Sequence, residues 1–368
     1  MARVRRSTVG LLILLLWTID AQAQSYRASV REPAELRAGP GFTYLVVGTL
    51  ARGERVRVIG RNRVGHWLQV RSNAASGARI GWLPINKLRL PDDLRMSRLA
   101  IRDLPDADLQ QIEDALESEL HAVSILPTIS QKMCNHYNAG TIWGDRQAAR
   151  VTKIGDSNSV SPAYLTPIAR QAYDLGPYDV LSAAVEFFGP SMGEPSIAAQ
   201  VGFNSAAAFD PFWVNNRACR PNEAPLDCEL RLSQASIALV MFGINDTQVF
   251  NRADYENQMR AVIETILQAR ALPVLIAFSS TPSFAQRRQV IHFNLISARL
   301  AREYDVPFIN FWAAAQGLNN AGMSSDGIHL ASNLRFVLGG PEARLGMTLH
   351  NLLVLTTLAE LRATCSGS

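Results

Sequence analysis

The feature that most narrows the possible folds is a series of short, continuous apolar runs in the last two thirds of the chain. Three of them are residues 237–242, 273–278 and 306–309, and segments of helical periodicity lie between them. Strands that are apolar at every position are buried on both faces, which is typical of a parallel sheet between two helical layers. Residues 124–368 are therefore predicted to form an α/β domain whose ligands bind beyond the carboxyl ends of the strands.

The residues before this domain follow a different pattern. Residues 26–90 alternate short apolar stretches with turn residues, and 56–59 and 67–70 are predicted strands of a small all-β unit. The segment contains, in this order, the stretches LRAGPG, GE, GHWLQV and GWL. In these stretches it resembles a bacterial SH3-like domain, which implies a small SH3-like β-barrel with a cell-wall or glycan ligand. Trp67 and Trp82 are explained equally well as core aromatics of such a barrel.

Residues 91–123 connect the two predicted domains. They are acidic and polar, and apolar side chains recur in them at helical spacing, at Leu109, Ile112, Leu116 and Leu120. We predict an acidic linker that is partly helical and whose charges form a solvated face.

The first 23 residues have the features of a secretory signal peptide. Three arginines precede an apolar run at 9–17, and residues 21–23 form an A-x-A cleavage site. The apolar run has about half of the ~20 residues that a transmembrane helix requires. We therefore expect residues 1–23 to be removed, no stable membrane insertion afterwards, and a secreted, periplasmic or cell-envelope location.

The net charge gives no reason to expect a polyanionic partner. The formal net charge is +4 at pH 7, and the three arginines and one aspartate of residues 1–23 contribute half of it. A balance this small predicts neither a nucleic acid nor an anionic membrane as a partner.

Export makes the four cysteines candidates for disulfide bonds. Cys219 and Cys228 bracket a short loop, whereas Cys134 and Cys365 lie near the start and the end of the predicted α/β domain. A local and a long-range bond are one plausible arrangement. Four cysteines allow three pairings, however, and their spacing does not choose among them.

Three short motifs fall at strand ends or in loops of the predicted α/β domain. They are GDS at 155–157, GIND at 243–246 and DGIH at 326–329. All three in this order form the pattern of the GDSL/SGNH hydrolases, which the chain resembles from about residue 151 to 330. The resemblance implies a three-layer SGNH-hydrolase fold with a flavodoxin-like parallel sheet. Asn158 stands where the name-giving motif has leucine.

These residue types also account for a serine-based acyl transfer. The hydroxyl of Ser157 is a poor nucleophile until a base accepts its proton. His329 is the candidate base, because a neutral imidazole is available near pH 7. Asp326 lies three residues earlier and can accept a hydrogen bond from the imidazole Nδ1–H.

The developing oxyanion needs hydrogen-bond donors. Ser157 is expected where a strand ends and a helix begins, so that its backbone N–H faces the oxyanion. The side-chain amide of Asn245 is the second expected donor. A glycine N–H between the first two motifs is the third; Gly202 is our choice, and Gly189 and Gly193 stay open as alternatives.

A second serine competes for the role of nucleophile. Residues 189–193 fit G-x-S-x-G, the elbow of another hydrolase class. That elbow requires a strand before the serine and a helix after it, whereas Pro190 and Pro195 favour a loop here. Ser191 is therefore the weaker candidate.

We expect a secreted serine esterase that hydrolyses carboxylic esters through an acyl-Ser157 intermediate. No metal or other cofactor is expected, because the H-E-x-x-H, Walker and Rossmann patterns do not occur in the sequence. The SH3-like resemblance favours acyl groups on cell-wall or extracellular glycans as substrates. Two alternatives stay open: a glycan- or cell-wall-binding protein with a catalytically silent hydrolase-like domain, and a lipase or phospholipase.

Overall fold

The structure is a computed structural model that describes residues 25–42, 44, 46–62, 65–72, 79–102, 106–284 and 286–365, with only the backbone of 106–113. The predicted signal peptide lies outside the described residues. The chain divides into two compact units, Met1–Leu104 and Pro105–Ser368. Within the described ranges, no helix combines the length and the apolar content that a bilayer span requires.

The first unit is an antiparallel sheet, whose described part has seven strands in the order β3-β2-β6-β5-β4-β1-β7. In chain order they are β1 (Tyr26–Val30), β2 (Ala34–Arg37), β3 (Val46–Leu50), β4 (Arg55–Arg61), β5 (Trp67–Ser72), β6 (Arg79–Pro84) and β7 (Leu88–Arg89). Burial alternates along the strands: in β4, Val56 and Val58 are buried and Arg55 and Arg57 are exposed. This alternation buries one face of the sheet around a small core, and the predicted SH3-like unit is confirmed.

The two tryptophans of this unit are core residues. Trp67 is 8% exposed and Trp82 is 1% exposed. Trp67 also packs edge-to-face against Phe42, with ring centroids 4.9 Å apart. Of the two explanations that the sequence allowed, the structure supports a role of both rings in the core.

The segment predicted as a linker is divided between the two units. Leu99 is buried in the core of the first unit, and Ile101 forms a bridge to Arg61. The helix α1 (Asp106–His121) belongs to the second unit, where Glu117 pairs with Arg287. The domain limits drawn from the sequence stay a prediction.

The second unit contains the parallel sheet that the apolar runs predicted. The strands of its described part are β8 (Gln147–Gly155), β9 (Tyr173–Asp174), β10 (Ala235–Met241), β11 (Leu272–Ile276), β12 (Phe308–Ile309) and β13 (Phe336–Val337). Four of them form a sheet in the order β12-β11-β10-β8, and β9 pairs with β13. Every residue of β10 and β11 is buried, as is typical of a sheet covered on both faces.

Helices cover this sheet. Besides α1 they are α2 (Gln131–Ile142), α3 (Thr166–Ala169), α4 (Ser182–Met192), α5 (Pro225–Ser233), α6 (Asp246–Val249), α7 (Arg252–Gln268), α8 (Arg287–Tyr304), α9 (Phe311–Ala315) and α10 (Gly346–Cys365). The helix α10 packs with α2 and α4, while α8 packs with α1 and α7, and both groups contact the sheet. The predicted three-layer α/β fold is confirmed.

The prediction of a loop at residues 189–193 is wrong. Residues 189–192 form the last turn of α4, and Pro190 lies inside the helix. Apolar burial outweighs the proline here, since Phe188 and Met192 are completely buried. Ser191 is buried as well: its hydroxyl donates to Phe188 O at 2.9 Å and accepts from the N–H of Val151 at 3.0 Å. Its oxygen thus fastens α4 to β8.

The four cysteines form two disulfide bonds, Cys134–Cys365 and Cys219–Cys228. The first joins α2 to the last residue of α10, and the second closes a short loop onto α5. The long-range bond therefore ties the beginning of the second unit to its end.

Candidate active site

The carboxyl ends of two adjacent strands bring the first two motifs to one edge of the sheet. Gly155 is the last residue of β8 and pairs with Met241, the last residue of β10. A Cβ atom on residue 155 would lie 2.4 Å from the carbonyl oxygen of Met241, so a larger residue does not fit at this crossing. Ser157 and Asn245 follow these strand ends directly.

Three side chains form a continuous hydrogen-bonded series. The Oγ of Ser157 lies 2.9 Å from His329 Nε2, and His329 Nδ1 lies 2.7 Å from Asp326 Oδ2. A carboxylate at Asp326 accepts the Nδ1–H, which leaves Nε2 unprotonated and able to accept the proton of Ser157. The structure thus brings together the three residues that the sequence proposed as nucleophile, base and orienting acid.

The turn that carries His329 holds the Asp326 carboxylate in place. Its Oδ1 accepts hydrogen bonds from the Ser324 hydroxyl at 2.7 Å and from the backbone N–H groups of Ile328 and His329, each at 2.9 Å. Burial acts to raise the pKa of Asp326, but these hydrogen bonds and the His329 ring outweigh it and hold this pKa below its usual range. Asp326 therefore stays ionised across the pH range in which a histidine base works.

The expected helix after Ser157 is absent from the structure, which has turns at 157–160 and begins α3 only at Thr166. The chain starts as a helix would, because the carbonyl of Asp156 accepts from the N–H groups of Ser159 and Val160. Pro162 then has no N–H to donate and restricts the residue before it. Ser157 therefore does not lie at the N-terminus of a helix whose dipole could stabilise an oxyanion. Of the two contributions expected at this position, the backbone N–H of Ser157 is the one that the structure retains.

The two other expected oxyanion donors lie beside each other. Asn245 Nδ2 donates to the carbonyl of Phe203 at 2.7 Å. Phe203 is the residue after Gly202. The loop before Gly202 is tied to β8, because Gly155 N–H donates to Ala198 O and Gly155 O accepts from the N–H of Gln200. One amide hydrogen of Asn245 thus fixes the loop and the other is left for a ligand. The left-handed φ of +82° at Gly202 suits glycine.

The alternative glycines lie elsewhere. Gly189 is within α4 and Gly193 follows it. This end of α4 is fastened to Val151, four residues before the end of β8, through the Ser191 hydroxyl. The structure does not bring either glycine to the motif at the strand end, and it brings Gly202 there.

Asn158 is a site residue that the sequence treated only as a departure from a motif. Its Oδ1 accepts from the N–H of Leu330 at 2.9 Å, and its Nδ2 donates to the carbonyl of Ile328 at 3.3 Å. These two backbone groups flank His329 in the chain. The side chain after the nucleophile therefore holds the loop of the base.

Two buried aspartates lie behind the hydrogen-bonded series. Burial raises the pKa of Asp156 to about 7, although its hydrogen bond from the Asn158 N–H acts in the opposite direction. Burial also raises the pKa of Asp246, whose Oδ1 accepts from the N–H of Ser205 at 2.9 Å and from the Ser205 hydroxyl. Asp156 shapes the turn of Ser157, and Asp246 fixes the loop that follows Gly202.

A metal ion has little to bind in the described ranges. The one group of Cys, His and acidic side chains there whose ligand atoms lie close together is Cys219, Glu223 and Cys228. The two sulfur atoms of this group are joined in a disulfide bond, so they do not act as thiolate ligands.

A part of each unit matches the model of a known family. Residues 185–333 match the model of the GDSL-like lipase/acylhydrolase family, and residues 32–84 match that of the bacterial SH3 domain. The first match includes Gly202, Asn245 and His329, and it begins after Ser157.

Two curated proteins of Escherichia coli are similar to parts of the chain. The uncharacterized protein YgiM is 28% identical over 155 residues, which are 41% of this chain and 62% of that protein. Thioesterase 1/protease 1/lysophospholipase L1 is 30% identical over 107 residues, which are 29% of this chain and 51% of that protein. The chain thus spans between half and two thirds of the length of these relatives.

Solved structures that are similar to part of the chain include two esterases. The esterase EstA from Pseudoalteromonas is 14% identical, with a TM-score of 0.37 over 60% of this chain and 100% of that chain. The acetylxylan esterase Axe2 from Geobacillus stearothermophilus is 13% identical, with a TM-score of 0.40 over 58% of this chain and 95% of that chain. Similarity at this level carries no conclusion about substrate.

Proposed function

Because the chain carries a GDSL-like lipase/acylhydrolase domain and a bacterial SH3 domain, we propose that it is an exported serine esterase with Ser157 as its nucleophile. The observation that carries this proposal is the hydrogen-bonded series from Ser157 Oγ through His329 to Asp326. Such a series is the arrangement that activates a serine hydroxyl toward an acyl carbon.

The reaction proceeds in two halves. Ser157 Oγ attacks the ester carbonyl carbon while its proton passes to His329 Nε2, and the imidazolium is stabilised by the Asp326 carboxylate. The oxyanion receives hydrogen bonds from the N–H groups of Ser157 and Gly202 and from the Asn245 amide. His329 then protonates the departing alcohol, which leaves an acyl-Ser157. A water molecule then attacks this acyl group while giving a proton to His329, and His329 passes that proton to Ser157 Oγ as the carboxylic acid leaves.

The proposed substrates are acyl groups carried by extracellular or cell-wall glycans. The side chains of Asp326 and His329 are each 47% exposed, so a group attached to a large polymer can reach the base and the nucleophile. A bacterial SH3 domain in the same chain supports a glycan-bearing environment. Two disulfide bonds and the predicted signal peptide support export.

A lipase or phospholipase activity is the second candidate. Apolar side chains next to the site residues are exposed: Val201 at 71%, Ile328 at 41% and Val160 at 38%. Exposed apolar groups beside a catalytic serine can receive an acyl chain. One relative that matches 29% of the chain also has lysophospholipase in its name.

The test compares chromogenic esters of increasing acyl length in the parent chain and in Ser157→Ala, with Ser191→Ala as the matched serine control. We expect hydrolysis by the parent and by Ser191→Ala, and a loss of at least about a thousandfold in Ser157→Ala. Equal activity of the parent and Ser157→Ala would contradict the proposed nucleophile. If the parent neither hydrolyses any ester nor reacts with a fluorophosphonate probe, the esterase proposal is wrong. The result would then support the alternative of a binding protein with a catalytically silent hydrolase-like domain.

The same series distinguishes the two substrate classes. A kcat/KM that is highest for acetyl esters and higher still for an acetylated polysaccharide supports the glycan esterase. A kcat/KM that rises steadily with acyl length supports the lipase.

A further inference from the structure

The small formal charge of the chain conceals a strong separation of charge. Residues 26–90 hold eleven arginines and one lysine against three glutamates. Residues 91–368 hold 21 basic and 28 acidic side chains. Residues 26–90 are thus strongly basic and residues 91–368 are net acidic, so the two parts differ in the ligands that they attract.

Strand register places part of this basic charge in two rows on one face of the first sheet. Arg27 of β1 lies opposite Arg57 of β4, and Arg57 lies opposite Arg71 of β5. Two residues along the same face, Ser29 lies between Arg55 and Arg89. We call these five side chains the arginine ladder: Arg27, Arg55, Arg57, Arg71 and Arg89.

The ladder side chains are exposed and unpaired. Each is exposed to solvent, and within the described part of the chain none of them forms a hydrogen bond or an ion pair. Like charges placed directly opposite on neighbouring strands destabilise a sheet. The ladder has no acidic partner among the described residues that would offset this repulsion, and an external anion would offset it.

We propose that the arginine ladder binds an anionic polysaccharide. In the row of Arg27, Arg57 and Arg71, neighbouring arginines lie one strand spacing apart, about 4.8 Å. This distance is close to the length of one sugar ring, so that successive carboxylates of a uronate chain meet successive arginines. Eleven arginines against one lysine favour this reading, because the planar guanidinium binds carboxylates bidentately.

The test measures binding of the full chain to polygalacturonate and to neutral dextran. The ladder variant is Arg27→Gln, Arg57→Gln and Arg71→Gln together. The matched control is Arg31→Gln, Arg52→Gln and Arg98→Gln, which removes the same charge from exposed arginines of the first unit that are outside the ladder. Hydrolysis of a small soluble ester is measured in parallel, so that a failure of the proposed esterase is seen separately.

We expect the parent to bind polygalacturonate but not dextran, and to bind it more weakly as ionic strength rises from about 0.05 to 0.2 M. The ladder variant should bind at least about tenfold more weakly and the control less than about threefold. The ladder variant should also unfold at a temperature no lower than the parent, since a like-charge row is removed. Equal weakening in both variants, absence of binding by the parent, or tighter binding to phosphatidylglycerol vesicles or duplex DNA overturns the proposal.

Discussion

At the scale of single residues, the loop that carries the proposed base His329 is held by the residue that follows Ser157 in the chain. Asn158 follows Ser157 in the chain, and its amide binds the backbone on both sides of His329. A shift of the imidazole by a fraction of an ångström lengthens the hydrogen bond to Ser157 Oγ. Asn158 is therefore a positioning residue in the proposed reaction.

Replacement of Asn158 by the leucine of the family motif tests this role. We expect Asn158→Leu to lower kcat about 10- to 100-fold with little change in KM, because both hydrogen bonds to the loop are lost. Asn158→Asp, which keeps the acceptor for the Leu330 N–H, should recover part of the rate. A parent-like kcat in a folded Asn158→Leu variant would show that the loop does not need this support.

Asp156 links the site to the pH dependence of stability. Its pKa of about 7 in the folded chain lies above the value near 3.9 of an unfolded aspartate. The folded state thus holds the proton more tightly, and between about pH 4 and pH 7 the unfolded state gains from ionising while the folded state does not. Stability contributed by this group is present below pH 4 and is lost as pH rises through 7.

We expect Asp156→Asn to abolish that loss, since the amide oxygen still accepts from the Asn158 N–H. The variant should be similar to the parent in urea denaturation at pH 4 and more stable at pH 8. The difference between the two chains cancels the effects of other carboxylates, including Asp326. A difference that does not change between pH 4 and pH 8 would contradict a raised pKa.

At the scale of elements, one glutamate connects a helix, a strand and the loop that leads to Gly202. Glu229 in α5 accepts from the Thr152 hydroxyl of β8 at 2.5 Å and from the N–H of Ile197 at 2.8 Å. Ile197 begins the loop that leads to Gly202. The loop that leads to Gly202 is thus fixed to the sheet by a buried carboxylate.

Glu229→Ala should lower the free energy of unfolding by about 2–4 kcal/mol, because two buried donors lose their acceptor. It should also lower kcat in the folded fraction. Glu229→Gln retains an acceptor for Ile197 and can bond to Thr152, so it should remain close to the parent in both measurements. Equal damage by Ala and Gln would show that the negative charge matters more than the hydrogen bonds.

The sequence predicted elements well where burial alone determines them. The continuous apolar runs of β10 and β11 predict parallel strands that are buried on both faces. The alternation of apolar and polar residues in β4 predicts a sheet that is buried on one face. It failed where tertiary contacts compete with a local signal. Pro190 suggests a loop, but the burial of its neighbours keeps α4 helical. The missing helix after Ser157 has a different cause, because Pro162 is a local signal that the expectation from the motif did not take into account.

For the site, the resemblance of the three motifs to the GDSL/SGNH hydrolases suggested the nucleophile, base and acid, and the chemistry of serine, histidine and aspartate agreed with it. It could not indicate Asn158 or Glu229. Asn158 binds two backbone groups distant in the chain, and Glu229 binds one such group and the hydroxyl of Thr152. Partners this far apart leave no local pattern in the sequence.

At the scale of the whole molecule, the two disulfide bonds differ in how much chain they constrain. Cys134 and Cys365 are separated by 231 residues, and Cys219 and Cys228 by nine. The entropy that a cross-link removes from the unfolded chain grows with the length of the closed loop, to about 5 kcal/mol for the long loop and about 2.5 kcal/mol for the short one.

Removal of each bond by alanine replacement of both cysteines tests this difference. We expect the Cys134/Cys365 variant to lose about 2–5 kcal/mol in urea denaturation and the Cys219/Cys228 variant to lose less. The parent under reducing conditions serves as the control, and its loss should be at least that of the long-bond variant. A larger loss from the short bond would indicate that local strain or packing, and not loop length, decides.

The long-range bond also changes what a protease can do to this molecule. It joins α2 to the end of α10, so nearly all of the second unit lies inside a covalent ring. A single cut in an exposed loop of that ring yields two chains that stay joined by the disulfide bond. The strands on either side of the cut can then remain paired in the sheet. Release of a fragment requires a second cut. In a surrounding rich in secreted peptidases, a nicked molecule can therefore remain assembled and keep its hydrolytic site.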